Sequence, residues 1–126
     1  MSEQVNVTLY EMVGGDQWFI DLVDRFYEGI DTDPLVRPMY PDDLAASRHW
    51  MSLFLIQYWG GPATYNEQRG HPRLRMRHNP FPIDQAARDA WFGHMVSSLA
   101  AGGLSEDAEA QVLAYFENAA NHLINA

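Results

Sequence analysis

The run Tyr65-Asn66-Glu67-Gln68-Arg69-Gly70-His71-Pro72-Arg73-Leu74-Arg75-Met76-Arg77-His78-Asn79-Pro80-Phe81, preceded by Gln57-Tyr58-Trp59-Gly60-Gly61-Pro62, decides how this chain is read. Two glycines followed by a proline stop a helix, because glycine accepts left-handed backbone and proline cannot extend the hydrogen-bond ladder. An irregular stretch is expected from there to Gly70. Pro72 suits the first position of a short helix, and the Asn79-Pro80 step ends it, since a residue before proline is pushed out of the helical region. That helix closes on His78. Leu74 lies four residues earlier on the same face, so the imidazole would emerge from an apolar wall.

The same run carries four of the chain's eight arginines, Arg69, Arg73, Arg75 and Arg77, in a sequence without lysine and with a formal net charge of −9. Such a cluster is either a solvated basic face or a site for a carboxylate or phosphate, which suits the planar guanidinium fork. The acidic balance elsewhere argues against nucleic acid as a partner, because phosphate contacts need a basic footprint. With no cysteine, disulfides, thiolate metal sites and cysteine nucleophiles are excluded. A metal would have to use His, Asp, Glu or Met.

Working outward, 126 residues suffice for one compact domain, taken as 1–126. No apolar run approaches the roughly 20 residues of a membrane helix, so no membrane insertion is expected. Met1 to Thr8 lacks the basic start and apolar segment of a signal peptide, which places the protein in the cytoplasm. Strand signals are scarce and the chain reads as all-α. A short helix covers Leu9 to Val13; Asp16 caps a helix to about Ile30, with Phe19, Leu22, Val23, Phe26 and Ile30 as its buried stripe. Asp31 to Asp43 is a connection with at most one short helix near Pro34. A long helix follows from Leu44 to Trp59. Asp84 caps another to about Ala101, and Ser105 a last one whose core stripe is Val112, Phe116, Ala119, Ala120 and Leu123.

A haem needs an axial nitrogen, an apolar slot and cations for its propionates, and a histidine flanked by arginines offers two of these together. Arg73 and Arg77, four apart, would share one side of the helix and serve the propionates, with Arg75 pointing elsewhere. His71 reads as a hydrogen-bonding residue of the preceding loop. His94 and His122 carry no assigned function.

The quoted segment closely resembles the truncated haemoglobins of the second group, and the likeness extends over nearly the whole chain. Gly14-Gly15 and Gly60-Gly61 look like the family's two glycine motifs, and Arg25-Phe26-Tyr27 like its distal-tyrosine segment. The resemblance implies a reduced globin fold, two helices packed over two around haem b (iron protoporphyrin IX). It implies that His78 is the proximal iron ligand and that Tyr27, Tyr40 (in Pro38-Met39-Tyr40-Pro41) and Trp91 (in Arg88-Asp89-Ala90-Trp91) face the bound gas as donors. Ser47 and Met51 would border the distal cavity, and Leu74 and Phe81 would complete the lining. His49, two residues from Met51, should point aside. On the residues alone, Tyr27 and Trp91 read as core aromatics with satisfied polar tips rather than as pocket residues.

Donors aimed at a held oxygen slow its loss, at roughly 0.5–1.5 kcal/mol each, where about 1.4 kcal/mol is tenfold. That favours chemistry on the gas over delivery. The expected partners are O2, CO, nitric oxide, peroxide or sulfide, and an unidentified reductase; the expected reactions are nitric oxide oxidation or peroxide reduction. Oxygen storage or gas sensing without turnover stands as the alternative, and a cofactor-free helical module binding an acidic partner as a third reading.

Overall fold

The computed structural model describes residues 7–78 and 80–126, apart from the side chain of Arg75, so the reading of Met1 to Asn6, the direction of Arg75 and the placement of Asn79 lie outside the described residues. Among the described residues seven α-helices run in order: α1 (Leu9–Met12), α2 (Asp16–Asp31), α3 (Ala45–Tyr58), α4 (Thr64–Arg69), α5 (Leu74–His78), α6 (Gln85–Ala100) and α7 (Glu106–His122). A 3-10 helix, Arg37–Met39, interrupts the link between α2 and α3. Among the described residues there is no strand. Helix α2 packs on α3 and α6, and α6 on α7, which gives the expected two-over-two arrangement.

The stripe of α2 builds the centre: Phe19, Val23, Phe26 and Ile30 are wholly buried and Leu22 nearly so. Val112 and Phe116 of α7 and Met95 and Leu99 of α6 join it from the other pair. Asp84 accepts from the Ala87 amide at 2.8 Å and Ser105 from the Ala108 amide at 3.2 Å, each satisfying an amide that the helix start leaves orphaned. The turn after α3 depends on Gly60, whose φ of +104° disfavours a side chain. A Cβ there would also stand 2.5 Å from the Thr8 side chain, so this glycine permits the close passage of the chain before α1.

Three local expectations are corrected. The stretch before Gly70 is not irregular but forms α4, anchored by buried Tyr65 and started by Gln57, whose side-chain oxygen accepts from the Asn66 amide at 2.9 Å. Pro72 does not open the next helix. α5 begins at Leu74 after Arg73 takes a left-handed φ of +48°, the His71 Nδ1 accepts from the Arg73 amide at 3.0 Å, and Arg77 Nε donates to the Pro72 carbonyl at 2.8 Å. Asp16 is the first residue of α2, with Gly15 at the cap position, and its carboxylate accepts instead from the Tyr10 hydroxyl at 2.7 Å.

Candidate functional site

Two cavities share Tyr40, Ser47, His78, Trp91 and Leu123 in their walls. The larger, about 460 Å³, lies between α3, α4, α5 and α7 and reaches Tyr27 on α2 and Trp91 on α6. The smaller, about 270 Å³, runs beneath the α2–α3 link past Val36, Met39 and Pro41 toward Phe81, Ile83 and Arg88. The larger alone has the size of a small-molecule site, and its lining is mostly apolar with a few polar groups, the usual composition of such sites.

His78 ends α5, and its Nδ1 stands 2.6 Å from the Leu74 carbonyl oxygen. A carbonyl only accepts, so Nδ1 carries a proton, and in the neutral ring the lone pair is then on Nε2. This is the arrangement in which one ring nitrogen is oriented by the backbone while the other is left to ligate a metal. Four hydrogen bonds of Asn125 hold the segment that follows. Its side chain donates to the Phe81 carbonyl at 2.9 Å and to the His78 carbonyl at 3.4 Å and accepts from the Ile83 amide at 2.8 Å, and its own amide donates to the Ile83 carbonyl at 2.9 Å.

The polar groups of the larger cavity come from three other directions. Tyr27 is buried on α2 and meets Tyr40 edge to face, ring centroids 5.6 Å apart. Phe26 is the hub behind them, edge to face with both Tyr27 at 5.1 Å and Trp91 at 5.2 Å. Burial holds the Tyr27 hydroxyl far above the ordinary phenol range; Tyr40 adds to the shift, and Arg48 and Ser47 oppose it. Burial pushes Tyr40 up to about 12, with the Trp91 side chain opposing. Both phenols therefore remain neutral donors at physiological pH.

The link carrying Tyr40 is itself fixed. Arg37 donates to the carbonyls of Pro41 at 2.9 Å and Asp42 at 2.8 Å and pairs with Asp31 at 3.0 Å, while Asp33 meets Nε2 of His94 at 2.7 Å. That pair holds the Asp33 carboxyl below the ordinary range, through the His94 hydrogen bond first and the Leu35 amide second. His94, to which the sequence assigned nothing, thus ties the Tyr40 link to the helix that bears Trp91.

The structure brings His78, Tyr27, Tyr40, Trp91, Ser47, Met51 and Leu74 onto the larger cavity, and Arg77 and Phe81 onto the smaller. Arg73 is exposed and is not among the lining residues. His49 is exposed, its ring against Trp50 rather than toward the cavities. Two further arginines do line them: Arg88, which pairs with Asp89 at 3.0 Å and Glu117 at 3.6 Å, and Arg69, which lies over the Trp50 ring at 4.6 Å. Arg88 lies too far along the chain from His78 to be singled out, and Arg69, though in the cluster read from the sequence, falls outside the pair four apart. An axial nitrogen with an oriented ring, an apolar slot and arginines beside it fit a haem. Among the described residues no group of three or more His, Asp or Glu converges, so a lone His78 suits a metal that arrives with its other ligands in place.

Known proteins agree with this geometry. The model of the bacterial-like globin family matches residues 8–125. A group 2 truncated haemoglobin of Bacillus subtilis, YjbI, is 39% identical over 92% of this chain and 87% of its own length. The crystal structure of haemoglobin from the thermophilic phototroph Chloroflexus aurantiacus superposes with a TM-score of 0.93 at 46% identity, covering 96% of this chain and all of that one. A truncated oxygen-avid haemoglobin from Bacillus subtilis superposes at 0.88 with 38% identity, covering 94% of this chain and 100% of that chain. The family match over almost every described residue, together with these likenesses, shows that the chain belongs to the bacterial-like globins, a haem-binding family, among the truncated haemoglobins of the second group.

Proposed function

We propose that this protein binds haem b with His78 as the axial ligand, holds O2 and other diatomic gases against Tyr27, Tyr40 and Trp91, and carries out redox chemistry on them. The observation that carries the reading is a single cavity with His78 and all three donors in its walls. The haem supplies an iron that takes a diatomic ligand and exchanges electrons with it. His78 offers Nε2 to that group while the Leu74 carbonyl fixes its ring. Leu74, Met51, Phe81 and the Trp91 ring would line the slot for the macrocycle, and Arg77, Arg88 and Arg69, which line the cavities as Arg73 does not, would neutralise its propionates.

Tyr27 and Tyr40 stay protonated because burial disfavours their phenolates, so they donate rather than repel a ligand that gains negative charge. The oxygen-avid character of the Bacillus subtilis truncated haemoglobin supports the same role here. Tightly held oxygen suits reaction with nitric oxide: NO, O2 and one electron give nitrate, the electron being restored by a reductase in the cytoplasm. Among the described residues His78 is the single histidine lining either cavity. Peroxide reduction therefore proceeds without an acid–base imidazole on the donor side and is the slower reaction. The same donors suit a storage or sensing protein that releases oxygen slowly. Supplying nitric oxide together with an electron donor to the oxygenated protein separates the readings: nitrate formed over repeated turnovers is expected, and nitrate that stops after one conversion of the bound oxygen would leave storage or sensing.

A further inference from the structure

Tyr115 of α7 forms part of the larger cavity wall. On its other side it stacks on Tyr58 at the end of α3, ring centroids 4.2 Å apart and tilted by 32°. Tyr58 is 50% exposed. Trp59 closes the cluster, edge to face with Tyr58 at 5.0 Å and with Tyr115 at 5.5 Å. Two tyrosines in contact thus cross the protein shell from cavity to solvent. Phenylalanines would pack as well in such a stack; the hydroxyls add the capacity to be oxidised by one electron.

We propose that Tyr115 and Tyr58 form an electron relay by which an external phenol, donating at the surface, reduces peroxide consumed in the haem cavity. The proposal rests on the redox reading given above. Electron transfer falls off steeply with distance, and rings in van der Waals contact are the fastest steps available in a protein. Tyrosine oxidation also releases a proton, which decides where the oxidising equivalent rests. Burial, with Tyr58 adding, pushes Tyr115 up to about 12, so losing that proton inside is unfavourable. Tyr58 gives its proton directly to water. The hole therefore moves outward: Tyr115 is refilled by Tyr58, and Tyr58 loses one electron and one proton. A phenol, ArOH, then returns both and leaves as ArO•. Two passes balance the reaction, H2O2 + 2 ArOH → 2 H2O + 2 ArO•, with the O–O bond broken in the cavity and both oxygens leaving as water.

The test treats the haem-loaded protein with hydrogen peroxide and a nitroso spin trap, without added phenol, and maps the adduct by peptide mass spectrometry in the native chain, Tyr58→Phe and Tyr115→Phe. The native protein should carry the adduct on Tyr58, and Tyr115→Phe should lose it although Tyr58 remains exposed and peroxide is still consumed. An adduct that persists on Tyr58 in Tyr115→Phe, or a native adduct on other residues, overturns the relay. Peroxide consumption, followed separately, distinguishes the two levels. Consumption without a Tyr58 adduct sinks the relay alone, whereas a native protein that leaves peroxide intact sinks the peroxide reading and the relay with it.

Discussion

Tyr27 and Trp91 stand on sixteen-residue helices locked together through Phe26, whereas His78 ends a five-residue helix that is entered through a left-handed, non-glycine Arg73. The donor side is thus part of the hydrophobic core, and its geometry is fixed by burial before any ligand arrives. The histidine side is fixed by a handful of directed hydrogen bonds, from the His78 ring to the Leu74 carbonyl and from Asn125 to the backbone on either side of Pro80. Core packing is shared over many contacts and fails only with the fold; a hydrogen-bonded strap can loosen by itself. The two sides of the cavity should therefore respond to different perturbations.

The largest expected effect is on the core side. Phe26→Ala removes a fully buried ring and the hub behind two donors, and should cost about 3–5 kcal/mol in a denaturant melt. Next, Asn125→Ala should cost roughly 1–2 kcal/mol, because the partners it leaves are partly open to water. Hydrogen exchange should then quicken over 78–83 and stay unchanged in α2. Equal loosening of α2 would break the distinction between the two sides.

Smaller again is the effect of one donor. Tyr27→Phe should leave the fold intact and speed oxygen release by about tenfold, the equivalent of one hydrogen bond, as read by stopped-flow displacement with carbon monoxide. A further order of magnitude would mean that Tyr27 also positions Tyr40, which it touches ring to ring. The pH effect is smallest near neutrality. Folded Tyr40 and Tyr115 ionise near 12, above the value of about 10 for an unfolded tyrosine. Their contribution to stability is complete below about pH 10 and is lost as pH rises through 10 toward 12, because the unfolded chain ionises first. Alkaline denaturation should begin in that window, while oxygen release stays flat over roughly pH 6–9.

Much of this was legible in the sequence wherever one side chain carries the signal. Asp84 and Ser105 announce their helices because a short polar side chain is what an orphaned amide needs, and the α2 stripe follows from its spacing. Helix α4 escaped because six residues are too few for periodicity and its cap comes from Gln57, on the preceding helix. The late start of α5 escaped because a left-handed arginine has no signature in composition. At the site, the resemblance carried Tyr27, Tyr40, Ser47, Met51 and Trp91, which the fold brings to one cavity with His78. Arginines chosen by closeness to His78 in the chain left out Arg88, which arrives there by the packing of α6.

The central claim is that His78 holds a haem in the cavity faced by Tyr27, Tyr40 and Trp91. The most direct test is the visible absorption spectrum of the purified protein, ferric and then reduced under carbon monoxide, for the native chain and His78→Ala. The account predicts a Soret band that shifts with carbon monoxide in the native protein and loses its histidine-ligand signature in the variant. Folded native protein that takes up no haem, or a variant with an unchanged spectrum, would contradict it.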